Sequence, residues 1–215
     1  MKIAICGTGG FSREVAPLAW EMARAAGARS PDAVCFVPKD GEAYEPSVNG
    51  HPVIPLADLP EDYGIVVAIA EAAIRRRVDA EMRALGRPLV SLVAPTALRR
   101  GPCEIGEGAL LCDHSILTAD VRIGRQFHAN IYAYVAHDCV IGDFVTLAPR
   151  VCINGNTVIE DDVYVGTGAI LRQGTPDKPL RIGKGAVIGM GAVVTKDVAP
   201  GETVVGNPAR PLERR

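Results

Sequence analysis

The chain has 215 residues, 48% of them hydrophobic but only 5% aromatic, with 23 glycines and 16 prolines. That composition excludes intrinsic disorder as the main state and favours a turn-rich architecture over a helical bundle. Lys and Arg number 23 against 25 Asp and Glu, a net charge of −2, so no basic field is available to hold a nucleic-acid backbone.

The first apolar run, residues 3–6, is followed at once by glycines and is too short for a signal peptide or a membrane span; a cytoplasmic location is expected. Residues 2–6 are expected to form a strand. Gly7-Thr8-Gly9-Gly10 follows, and then a helix over residues 12–26, with Val15, Leu18, Ala19, Met22 and Ala26 at spacings of three and four. Gly27 is its expected stop. Residues 33–37 and 65–70 are further strands, the latter buried on both faces because it is purely apolar. A second helix is expected over 72–85, ending at Gly86, and a last strand over 89–93. This alternation indicates a small, Rossmann-like parallel α/β sheet.

From residue 105 an aliphatic residue recurs every six positions: Ile105, Leu111, Leu117, Ile123, Ala129, Val135, Ile141, Leu147, Ile153, Ile159, Val165 and Leu171, with Ala129 the one small substitute. The phase resumes at Ile182, Ile188 and Val194, eleven residues past Leu171. One hexad is therefore enlarged by five residues, around 174–179. Gly follows the aliphatic residue at 106, 124, 142, 166, 183 and 189. A period of six is the hexapeptide β-helix repeat. One inward aliphatic side chain per hexad is expected, with the small residue after it making the corner. Three hexads close one triangular coil, and coils stack about 4.8 Å apart. The repeat alone is equally compatible with a noncatalytic scaffold or binding module. A Rossmann-type dehydrogenase is set aside, because the chain has neither a second half nor a full glycine fingerprint.

The six cysteines stand singly, with no CxxC pair. Free buried thiols are expected and no metal site.

The repeat array resembles the hexapeptide acyltransferases. The whole layout resembles their sialic acid O-acetyltransferase family, and is similar to the nucleotide-amino-sugar N-acetyltransferases related to it. That layout is a Gly-rich α/β domain, a repeat helix carrying Val135-Ala136-His137-Asp138-Cys139, and a terminal Gly206-Asn207-Pro208-Ala209-Arg210. The resemblance implies a left-handed β-helix, a homotrimer and acetyl-CoA as cosubstrate. It implies a Rossmann-like acceptor-binding domain over residues 1–98 and an acyltransferase β-helix over 99–215. The implied reaction is N- or O-acetylation of a sugar or nucleotide-linked sugar for bacterial surface glycans.

The resemblance places the base at His137. Acyl transfer needs the acceptor to lose a proton as it attacks, a task suited to imidazole near neutral pH. Asp138 is expected to orient the ring. Asn130, seven residues earlier, is implied near the acceptor, although Ile131 and Tyr132 stand where the family has Thr and Gly. Gly155, eighteen residues after His137, is implied to present its N–H to the thioester oxygen. Gly189, Met190 and Gly191 are expected to let pantetheine approach, and Arg210, with Lys184 as an alternative, to meet the phosphates. The loop 173–180 is a candidate wall of the cofactor site. Gly7, Gly9 and Gly10 are expected to hold a nucleotide-sugar diphosphate at the helix N-terminus, with Asp40 toward the nucleoside. After the third strand the chain has Ala70-Glu71-Ala72 where the family has Gly-Asp-Asn.

Overall fold

The computed structural model describes residues 1–39 and 41–213. Two compact units divide the chain, Met1–Leu92 and Val93–Arg215.

In the first unit the strands β1 (Lys2–Cys6), β2 (Val34–Val37) and β5 (Tyr63–Val67) form a parallel sheet in the order β2-β1-β5. All of β2 and β5 is buried, as is β1 apart from Lys2. The strands are apolar throughout because the sheet has no solvent face. The helix α1 (Gly10–Ala25) buries Val15, Leu18, Ala19 and Ala23. It starts two residues before the expected point and leaves Ala26 outside as an exposed cap. Gly27, at φ +92°, ends it: the Gly27 and Ala28 N–H groups donate to Arg24 and Ala23, the paired bonds of a Schellman motif. Gly86, at φ +66°, closes α2 (Ala72–Ala84) in the same way. The third strand ends at Val67, short of residue 70. The last expected strand is not formed as one piece: Leu89 makes a single parallel bridge with Ile65, and Val93 already belongs to the second unit. A hairpin of β3 (Ser47–Val48) and β4 (His51–Pro52) was not expected. Its signal is the Asn49-Gly50 pair, both at positive φ, as a type I′ turn requires.

The second unit is a left-handed parallel β-helix with three faces. The first face stacks Leu98–Arg99, Ile116–Leu117, Tyr134–Val135, Cys152–Ile153, Ile170–Leu171 and Val193–Val194. The second stacks Cys103–Ile105 through Leu180–Ile182, and the third Leu110–Leu111 through Thr203–Val205. Residue i pairs with i+18 on every face, as Val135 does with Ile153. The interval shortens to 16 where Ile188 pairs with Val204, and it widens to 23 once on each face, where Ile159 pairs with Ile182, Val165 with Ile188 and Leu171 with Val194. This widening is the five-residue enlargement.

Two details of the hexad differ from expectation. The glycines after the aliphatic residues do not turn the corners, since none has a positive φ. The corner residue lies three places after the aliphatic one: Gly108, His114, Asp120, Gln126, Tyr132, Asp138, Phe144, Arg150, Asn156, Asp162 and Gly168 all have φ between 54° and 75°. The glycines are needed for stacking. A Cβ on Gly106 would fall 2.5 Å from the Arg125 nitrogen one coil on, and one on Gly183 2.4 Å from the Pro200 nitrogen. Moreover, two side chains per hexad point inward, not one. The second lies four places after the aliphatic residue and includes Ser115, Phe127, Ala133, Cys139, Val145, Val151 and Thr157, all buried. The left-handed residue turns the chain through the corner between the two inward positions, so that the side chains on either side of the corner both face the interior.

Candidate active site

His137 and Asp138 sit on the edge between the first and second faces, after Tyr134–Val135 and before Val140–Ile141. His137 Nδ1 lies 2.7 Å from Asp138 Oδ2, and both side chains are about half exposed (53% and 55%). An ionised carboxylate has only acceptors, so Nδ1 carries the shared proton, and in the neutral ring Nε2 then holds the lone pair. That is the tautomer a general base requires, with the basic nitrogen free of its orienting partner.

Cys139, next in sequence, turns inward. It is fully buried, and its thiol donates to the His137 and Asn154 carbonyls at 3.5 Å. Burial pushes its pKa up to about 11, so it packs as a neutral thiol and offers no thiolate nucleophile near neutral pH.

One coil above His137, at the same hexad position, is Gly155. The His137 carbonyl accepts from the Asn156 N–H, and the Gly155 carbonyl from the Gly174 N–H. Among the described residues nothing accepts the Gly155 N–H. The enlarged hexad leaves the same edge one coil higher. Its tip is closed on itself by Thr175 and Lys178, which exchange backbone bonds.

His137, Asp138 and Gly155 are therefore brought onto one edge. Asn130, Met190 and Gly191 are not: they occupy the edge between the third and first faces, and within one chain the whole first face separates them from His137. Asn130 Oδ1 accepts from the Ile131 N–H at 2.7 Å, whereas Met190 is 82% exposed and Gly191 has open space where a side chain would stand. A Cβ on Gly189 would meet the Val205 side chain. Arg210 is exposed on the terminal strand Arg210–Pro211, which pairs antiparallel with Thr203–Val205. The Lys184 ammonium instead faces Asp161 and Asp162, at 3.8 and 3.9 Å. Beside Asp138 on the second face is a groove of about 300 Å³, lined by Glu104, Asp120, Arg122 and Asp138 among others.

In the first unit, Gly7 adopts φ +98° and its N–H donates to Val37. Gly9 is the N-cap of α1, with no side-chain bond to the helix's free N–H groups. Ser12 ties the turn to the next strand end by donating to the Ala68 carbonyl at 3.2 Å. At the carboxyl ends of the strands lies a cavity of about 430 Å³, bounded by Cys6, Gly7, Pro38, Lys39, Arg77 and Glu81 among others. Lys39, Arg77 and Glu81 were not anticipated. The signal for the last two is the α2 stripe Ile74, Val78 and Met82, which lines the same cavity and brings its i+3 neighbours with it. Asp40 lies outside the described residues.

Comparison with known proteins fits this layout. The PglD N-terminal domain model matches residues 2–82. GDP-perosamine N-acetyltransferase of Escherichia coli O157:H7 is 43% identical over 148 residues, covering 69% of this chain and 67% of that protein. The chain belongs to the hexapeptide-repeat sugar acetyltransferases. Among solved structures, WeeI from Acinetobacter baumannii AYE superposes on this acetyltransferase with a TM-score of 0.92 at 45% identity, covering 99% of this chain and 100% of that one. The acetyltransferase domain of PglB from Neisseria gonorrhoeae FA1090, solved with acetyl coenzyme A, gives 0.84 at 33% identity, with 98% of each chain covered. No helix of the described residues is long and apolar enough to cross a membrane, and no group of three or more His, Cys, Asp or Glu among them is placed to hold a metal ion.

Proposed function

We propose that this acetyltransferase transfers the acetyl group of acetyl-CoA to the amino group of a nucleotide-linked sugar, with His137 as general base, in the cytoplasmic synthesis of a surface glycan. The observation that carries the reading is the His137–Asp138 pair, 2.7 Å apart at an exposed edge with Nε2 free. The acceptor ammonium first gives up one proton to solvent; the neutral nitrogen then attacks the thioester carbonyl while Nε2 takes a second proton. The new C–N bond forms, the C–S bond breaks, and the proton passes to the leaving thiolate. Gly155, with its N–H unclaimed among the described residues, is suited to hold the oxyanion.

Acetyl-CoA as donor is supported by the structural relative that contains it. Pantetheine is an extended amide chain, and the glycine-bearing coils at Gly189, Met190 and Gly191 offer it backbone at close range. Arg210 is the proposed partner of the phosphates, and the loop 173–180, which leaves the same edge one coil above Gly155, the proposed wall of the cofactor site. An amine acceptor is supported by the named activity of the Escherichia coli relative and by the carboxylates of Glu104, Asp120 and Asp138 in the groove beside the base, which favour a cationic amino sugar over a neutral hydroxyl. The Gly7–Gly10 turn and the free N–H groups of α1 suit the diphosphate. The 430 Å³ cavity has the size of a small-ligand site and carries both cations and a carboxylate for a nucleoside.

A homotrimer accounts for the split of the proposed residues over two edges. A second copy that sets its Asn130, Met190 and Gly191 edge against the His137 edge of the first completes one site. The outward column of the first face, Leu98, Ile116, Tyr134, Cys152, Ile170 and Val193, is largely apolar and at least partly exposed, as suits a face between copies.

The test is free-thiol release from acetyl-CoA across a panel of nucleotide-linked amino sugars and free sialic acids, run beside the His137→Ala variant. Thiol release that depends on an amino sugar and on His137 is expected. Turnover with sialic acid alone, or with none of the panel, would overturn the acceptor assignment. Light scattering at micromolar concentrations should give three chains per particle, and a monomer would remove the shared site.

A further inference from the structure

The imidazole of His137 does not stand straight out from its coil. A Cβ built on Gly155 would fall 2.6 Å from its Cε1, 2.7 Å from its Nε2 and 3.1 Å from its Nδ1. The ring thus leans along the helix axis into the space that the next coil leaves by having no side chain. The other stacking glycines differ: each has backbone of the following turn among its three nearest atoms, either first, as at Gly106, Gly166 and Gly183, or behind a side-chain atom, as at Gly124, Gly142 and Gly189. Gly155 is also outside the left-handed φ region, so turn geometry does not demand glycine there. Nor does coil stacking, because its nearest neighbours would all be atoms of the imidazole.

We infer that Gly155 is a positioning residue for the base: its bare Cα is the floor that fixes the His137 rotamer. With the ring seated there, Nδ1 reaches Asp138 at 2.7 Å and the face of the site is set against the Gly155 N–H. One residue then couples the place of the proton acceptor to the place of the oxyanion donor, because both are measured from the same peptide. The inference rests on His137 being the base, as proposed above, for its kinetic consequence but not for its structural one.

Gly155→Ala separates the two roles of this residue, since alanine keeps the N–H and the allowed φ but adds the methyl group. The ring must move, and kcat should fall about 10²-fold, the usual cost of a displacement near 1 Å. Acetyl-CoA binding by calorimetry should stay near wild type. In a His137→Ala background the same substitution should cost nothing further, because there is no ring left to displace. The melting temperature should show the same suppression, with His137→Ala/Gly155→Ala melting above Gly155→Ala. If Gly155→Ala does not fold, recovery of folding in the double variant supports the inference equally. It is overturned if Gly155→Ala keeps wild-type turnover, or if the substitution lowers activity or melting temperature as much without the imidazole as with it. Full activity of His137→Ala would instead refute the base assignment and leave the melting suppression standing.

Discussion

His137 and Asp138 are neighbours in the chain, yet their side chains meet at 2.7 Å on one side of the coil. In an extended strand they would point to opposite faces. They meet because Asp138 occupies the left-handed corner position at φ 56°, which breaks the alternation at that residue. Orientation of the base is thus a by-product of the corner that every hexad must make.

Loss of the imidazole should lower kcat by roughly 10²–10⁴-fold, the range for removing a positioned general base. KM for acetyl-CoA should change little in His137→Ala, since the ring acts on the acceptor's proton and not on the cofactor. Steady-state kinetics with a verified acceptor measures both quantities. Near-normal turnover would sink the assignment and move the search to His114 and His128.

Substitution of Asp138 should separate conformation from charge. Asn tolerates the left-handed region, whereas Ala there is disfavoured by about 1–2 kcal/mol. Asp138→Asn should therefore melt near wild type and lose less turnover than His137→Ala. Asp138→Ala should lose turnover and also melt lower. Equal melting of the two variants would show that the corner φ costs nothing at this position.

Stacking glycines should be costlier to replace than open ones. In Gly142→Ala the new methyl would meet the Asp161 nitrogen at 2.7 Å and the Glu160 carbonyl carbon at 2.9 Å, backbone that cannot step aside. A loss of about 1–3 kcal/mol is expected, as for other overpacked sites. Gly9→Ala, with φ −72° and nothing within 4 Å of the new carbon, should lose less, only the modest cost of alanine at an N-cap. Chemical denaturation of the two variants checks the contrast.

Alkali should weaken the first unit. Burial pushes Cys6 and Cys35 up to about 12 from the ordinary 9.0. Between those values the unfolded thiols have lost their protons while the folded ones keep theirs. Stability is therefore whole below about pH 9 and is lost as pH rises toward about 12. Melting temperature followed through that window should fall, and Cys6→Ala should flatten the fall. An unchanged slope in that variant would mean that Cys6 is not the group being titrated.

The sequence by itself determined the architecture, because a β-helix is written in a local period. Fourteen of the fifteen hexad aliphatics are buried, and Ile105 of the first coil is partly buried; the eighteen-residue register follows from three sixes. The place of His137 on an edge followed from the same phase. The second inward column was not legible, since Ala133, Cys139, Thr157 and Ser115 share no chemical type; only the three-dimensional turn at the left-handed residue makes them alike. The role of the glycines was misjudged for a related reason. A glycine in sequence signals freedom of φ or want of space, and distance to the next coil, eighteen residues away, decides which. The register stacks Gly155 one coil above His137, but tertiary structure alone laid the imidazole against the bare Gly155 Cα, because the lean of a side chain along the helix axis depends on the space the neighbouring coil leaves and is not written in the period.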